Sequence, residues 1–146
     1  MRRELILYIM HKALSDYHYP KIDKLRIVKI LYLLDRLSRQ KDGSKLSDYN
    51  YILERLGPLS WEILEDLSKL KQDGIIKNAS NFFDFSFVDE QQVSGMIQEV
   101  TIQVESKISK EDLDFIFSLA KNLSQLLDYV HGLEEVKNAK LKQEIW

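Results

Sequence analysis

Cysteine is absent from the 146 residues of this chain. Disulfides, thiolate metal sites and a cysteine nucleophile are excluded together, and the absence suits a reducing cytoplasm. Proline occurs only at Pro20 and Pro58, each at a break between apolar segments. Histidine occurs three times, and a bare pair such as His11 and His18 seldom completes a four-ligand metal site. No stretch approaches the roughly 20 apolar residues of a membrane-spanning helix. The start has the outline of a secretory leader, Arg2-Arg3 preceding Leu5-Ile6-Leu7-Tyr8-Ile9-Met10. Glu4 interrupts the basic start, His11-Lys12 cut the apolar run short, and no small-residue cleavage site follows. The expectation is a soluble cytoplasmic protein without membrane contact, built as one domain over residues 1–146. That length suffices to bury about 68–70% of the unfolded surface without staples.

A formal net charge of −2 conceals a polarity. Residues 1–40 hold nine Lys and Arg against four Asp and Glu, so the remaining residues carry a net −7. Such a gradient can steer a charged partner, although solvated helix faces produce the same count.

What is present is mostly helical patterning. Leu5 to Leu14 reads as a first helix, closed by Asp16-Tyr17-His18-Tyr19-Pro20. The next spans about 22–40, and its apolar positions wrap more than half its circumference, which predicts a central helix packed on several sides. Residues 45–55 are open between strand and helix. The helix after Gly57-Pro58-Leu59 is fully punctuated. Ser60 is a natural N-cap, Leu59 and Leu64 have staple spacing, and Glu62 with Lys69 and Lys71 suits the helix dipole. Gly74 is placed for a left-handed C-terminal residue. Residues 75–88 read as a β-hairpin in which Phe83, Phe85 and Phe87 alternate with Asp84 and Ser86. Val93, Met96, Ile97, Val100 and Val104 fall at helical spacing. Ser109 with Asp112 starts another helix, and a last one ends near His131-Gly132. The expected fold is mainly α, a compact multi-helix domain around a central buried helix, with one small hairpin and a winged-helix-like local order.

Three motifs in this order carry a resemblance. They are Lys29-Ile30-Leu31-Tyr32-Leu33-Leu34-Asp35, the tyrosines of Asp48-Tyr49-Asn50-Tyr51, and Gly57-Pro58-Leu59-Ser60, followed by Leu67 to Ile76 and a late histidine, His131. Together they resemble the Panacea domain, a family of antitoxin-like and phage-associated proteins. Val130 stands where that family typically has threonine before its histidine. The resemblance implies a non-enzymatic protein-binding module that neutralises a toxin or delivers it to a protease. The implied partner is a protein, with a toxin encoded by a neighbouring gene as the candidate. No catalytic residue and no cofactor are implied.

The residues themselves offer two candidate surfaces. Arg26, Lys29 and Arg36 project within about 80° of one another on the central helix, a basic stripe that is either a docking surface or the one solvated strip of a buried helix. Trp61, at the edge of its helix's apolar face, is the candidate exposed anchor. Tyr17, Tyr19, Tyr32, Tyr49 and Tyr51 either line a groove or cover the core, with Tyr32 expected inside. The rival reading is a winged-helix DNA-binding regulator. It places Glu62, Glu65, Asp66 and Asp73 on the outward side of the recognition helix, where carboxylates repel phosphate. No serine-histidine-acid constellation has an elbow or oxyanion signal, and Glu134-Glu135 read as solvated.

Overall fold

In the computed structural model, which describes residues 2–146, the first helix is α1 (Arg2–His11). Every residue from Leu5 to Met10 is buried, and a π-helical turn over Lys12–Asp16 ends the run. Two residues, Ile22–Asp23, form β1, and α2 follows (Lys24–Asp42). The expected start near Ile22 moves inward because Asp23 is the N-cap, accepting from the Arg26 amide at 2.8 Å. Helix α2 stops at Gly43, whose φ of 84° is left-handed.

Nine consecutive residues of α2, Ile27 to Asp35, are buried. At 3.6 residues per turn that is two and a half turns without an exposed face, which is how a helix at the centre of a fold is built. Helices α1, α6 (Lys110–Ala120) and α7 (Leu123–His131) pack around it.

Two three-stranded antiparallel sheets lie among the helices where one hairpin was expected. The expected one is β4 (Ile76–Asn78) with β5 (Asp84–Phe87), and β1 pairs to the far side of β5 in the order β1-β5-β4. The second consists of β2 (Tyr51–Glu54), β3 (Gly57–Leu59) and β6 (Glu144–Ile145), in the order β3-β2-β6. Gly57-Pro58 is therefore a strand segment, with Glu54 opposite Gly57 and Leu53 opposite Pro58. Pro58 is tolerated because β3 is an edge strand, where a missing amide breaks no ladder on its open side.

Helix α3 (Trp61–Gln72) has both predicted ends. The Ser60 hydroxyl accepts from the Ile63 amide at 3.3 Å. At the other end Gly74 has φ 74°, its amide reaches the Lys71 carbonyl, and the Ile75 amide reaches the Leu70 carbonyl. That pair of bonds is a Schellman motif, and it aims the chain into β4.

The phenylalanine alternation begins later than expected. Phe85 and Phe87 are buried, but Phe83 is 73% exposed and Phe82 90% exposed. The Asn81 carboxamide oxygen accepts from the amides of Phe83 and Asp84 at 2.8 and 3.0 Å, a local turn that keeps 82 and 83 out of the strand. The helical stretch after it divides at Ile97 into α4 (Glu90–Met96) and α5 (Gln98–Lys107). Beyond α7 lie a short α8 (Glu134–Lys137) and β6, neither anticipated. No helix among the described residues is long and apolar enough to cross a membrane.

Because Ser60 is buried and caps the helix that launches β4, Ser60→Ala should lower unfolding stability by about 1 kcal/mol. Urea denaturation at neutral pH checks this, and an unchanged midpoint would mean the cap contributes nothing.

Candidate binding surface and the joint behind it

The motif residues meet at one joint. Lys29 on α2 is 1% exposed, and its ammonium donates to the Pro58 carbonyl at 2.8 Å. Burial pushes the Lys29 ammonium down to a pKa of about 8. Gly57 beside it has φ 98°, and a β-carbon there would stand 3.4 Å from Val130 Cγ1 and 3.6 Å from Lys29 Cε. Those are ordinary contact distances, so it is the left-handed backbone angle that favours glycine here. His131, in the last turn of α7, places Nδ1 2.8 Å from the Leu127 carbonyl oxygen and Nε2 3.2 Å from that of Arg55. The imidazole thus ties α7 to the β2–β3 turn.

Around the joint, tyrosine hydroxyls are matched to carboxylates. Tyr51 donates to Asp35 at 2.8 Å, and Ser47 donates to the same carboxylate through its amide and hydroxyl at 2.9 and 2.5 Å. Burial pushes the Asp35 carboxyl up against those three bonds. Tyr32 and Arg36 both donate to Glu135 Oε2 at 2.7 Å, so Glu135 is not the solvated group expected. Its desolvation is outweighed by Tyr32 and Arg36, and its pKa is held below the usual range. The Tyr32 ring stacks on Trp146 at 4.6 Å, with the Arg39 guanidinium 4.9 Å from the Trp146 ring centre.

The same chemistry corrects two readings of charge. Asp66 does not point outward from α3. It is buried, and it accepts from Tyr49 at 2.7 Å and from Arg2 at 2.8 and 3.1 Å. Those bonds outweigh desolvation and hold its pKa low. Glu62 accepts from the Asn50 amide at 2.7 Å and Asp73 from Arg3 at 2.7 Å. The basic stripe is likewise not an open patch. Lys29 is inside, Arg36 is bound to Glu135, and Arg26 donates to Asp23 and to the carbonyls of Ala120 and Lys121 at 2.5, 2.8 and 3.1 Å. Helical spacing puts the three on one side of α2 but says nothing of what covers that side.

Trp61 is the sequence candidate that faces solvent, 59% exposed at the first residue of α3. Phe82 and Phe83 at the β4–β5 tip are the two most exposed aromatics among the described residues, and sequence reasoning missed them. The flanking Asn81 and Asp84, both turn formers, were the signal. Among the described residues no group of three or more His, Asp or Glu could hold an ion.

With this geometry in view, residues 27–134 match the family model described as antitoxin SocA-like, Panacea domain. No curated protein and no solved structure matches the chain. The matched span contains Lys29, Tyr32, Tyr51, Gly57, Pro58, Ser60 and His131, as well as Trp61 and the β4–β5 tip.

The depressed Lys29 pKa makes stability depend on pH with a defined sign. Below about pH 8 both states hold the proton and the buried cation exerts its full cost. Between about 8 and the ordinary 10.5 the unfolded chain keeps a proton that the folded chain has released, so stability rises with pH. The difference in unfolding free energy, wild type minus Lys29→Met, should therefore climb across that window by on the order of 3 kcal/mol. A flat difference from pH 7 to 10 would show that Lys29 is not held in a desolvated site.

Proposed function

The chain belongs to the antitoxin SocA-like, Panacea-domain family, and from that premise we propose a non-enzymatic protein-binding module that neutralises or delivers a toxin-like partner. The family match over residues 27–134 carries the reading. The polar side chains of the motif support it, because each is tied to a neighbour. Lys29 binds a carbonyl, Asp35 and Glu135 bind tyrosine hydroxyls, and the His131 ring lies between the carbonyls of Leu127 and Arg55. A nucleophile or base needs a free reactive atom beside a substrate-sized opening, and the Lys29, Asp35 and Glu135 side chains are each engaged by a partner. The role of the joint is to hold α2, α7 and the β2–β3 hairpin in register, so that α3 and the β4–β5 hairpin stand at a fixed angle.

A winged-helix DNA reader has one observation in its favour, the local order α2, α3, β4–β5. Glu62 and Glu65 on α3 oppose it, since a helix entering the major groove passes phosphates on both flanks.

Coexpression with the product of an adjacent gene tests the proposal. That product should be harmful alone, harmless beside this chain, and recovered with it in a stable complex. Trp61→Ala should weaken the complex by about 2 kcal/mol or more, as exposed aromatic anchors do. A neighbour neither bound nor harmful would remove the antitoxin reading. Tight, sequence-specific duplex binding near physiological salt, with no protein partner, would replace it.

A further inference from the structure

Three clefts differ in how their charged groups are matched. Two larger ones, beside α1, are lined by groups that pair with one another: Arg2 with Asp66 and Arg3 with Asp73 in one, Lys12 and Tyr8 with Glu105 in the other. The third, of about 310 Å³, lies between α3 and the β4–β5 hairpin. Its apolar lining is Leu64 and Leu67 on one side and Phe82, Phe83 and Phe85 on the other. Ser68, Asn78, Lys24 and Lys71 complete the lining, and no carboxylate belongs to it. Among the described residues neither lysine's ammonium group has a hydrogen-bond or ion-pair partner. On a chain of net charge −2, this is a slot with five apolar side chains and two unpaired cations in its lining.

The slot continues along α3. Trp61, Leu64, Ser68 and Lys71 fall within about 80° of one another at 100° per residue, so the exposed indole extends the same stripe by one turn. Phe82 and Phe83, 90% and 73% exposed, are two large side chains left in water side by side. Contiguous exposed apolar surface rimmed by polar groups marks a place where another molecule sits. Free lysines at the rim select its charge, since complementary potentials steer and orient a partner.

We propose that the cleft between α3 and the β4–β5 hairpin is the docking slot for a partner-protein segment with large apolar side chains bordered by Asp or Glu. The apolar side chains enter between Leu64 and Phe83, and the acids face Lys24 and Lys71. This names the surface used by the protein-binding function proposed above and rests on that reading.

The test uses the full chain and two synthetic peptides of about 18 residues that form amphipathic helices. Both carry leucines at one helical stripe, one bordered by Glu and the other by Lys. In a nitrogen-15 NMR titration, the Glu peptide should shift the resonances of Leu64, Ser68, Lys71 and Phe83 and leave Lys29, Asp35 and Tyr51 in place. It should bind about tenfold more tightly than the Lys peptide. The double variant Lys24→Glu/Lys71→Glu should reverse that preference. Phe82→Ser/Phe83→Ser alters only exposed side chains, so folding is not at stake, and it should abolish binding of both peptides.

Equal affinity for the two peptides, or shifts centred elsewhere, overturns the slot. So does tighter binding of a single-stranded oligothymidine through Phe82 and Phe83, or self-association that the phenylalanine variant abolishes. The peptides are independent of any toxin. A neighbouring product that fails to bind counts against the antitoxin reading, and peptides that fail count against the slot.

Discussion

Helix α2 runs through the middle of the fold with nine consecutive residues shielded from water, and two of them, Lys29 and Asp35, are of charge-bearing types. A charge withdrawn from solvent is tolerated only with hydrogen-bonding partners in place. The rest of the architecture can be understood as their supply. The β2–β3 hairpin exists where it does because it presents the Pro58 carbonyl to Lys29. The preceding loop and β2 bring Ser47 and Tyr51 to Asp35 from the other direction. Gly57 supplies the left-handed backbone angle with which the hairpin turns into β3. A motif that looks like a binding signature in one dimension is the fastening of a central helix in three.

A second device repeats through the structure. Tyr8, Tyr17, Tyr32, Tyr49 and Tyr51 each direct a hydroxyl at a carboxylate, respectively Glu105, Asp114, Glu135, Asp66 and Asp35. Each pairing joins segments distant in the chain, except the two that close residues 35–66 on themselves. Tyrosine suits this work because it buries a large ring and still offers a donor at its tip. Burial pushes all five phenols up, so they remain donors to the acids they meet. The acidic excess beyond residue 40 is partly absorbed in this way, and further by Arg2 and Arg3 docking on α3.

Local signals were legible wherever a residue type acts on its own neighbours. The Ser60 cap, the Gly74 stop, the Ser109 cap and the enclosure of α2 all follow from nearest-turn chemistry and apolar spacing. What depended on distant chain was not. A helical wheel places Lys29 with Arg26 and Arg36, but only the fold reveals that Pro58 covers it. Asp66 and Glu135 looked like surface acids because their partners, Arg2 with Tyr49 and Tyr32 with Arg36, lie far away in sequence. The β2–β3 hairpin was hidden by Gly57-Pro58, which signals a break and here forms an edge strand. The β6 pairing with β2 and the Trp146 stack on Tyr32 leave no periodic trace at all.

The consequence is a division of labour between a locked joint and an open surface. Residues that define the motif hold α2, α7 and β3 together, while Trp61, Phe82 and Phe83, with the free lysines Lys24 and Lys71, face outward. Amide hydrogen exchange on the chain alone and then with the proposed protein partner tests that division most directly. The account predicts that residues 29–35 and 51–59 exchange slowly in the free chain and are unchanged by the partner, whereas residues 61–71 and 82–85 gain protection. New protection at the joint, with none along α3 and the hairpin tip, would contradict it.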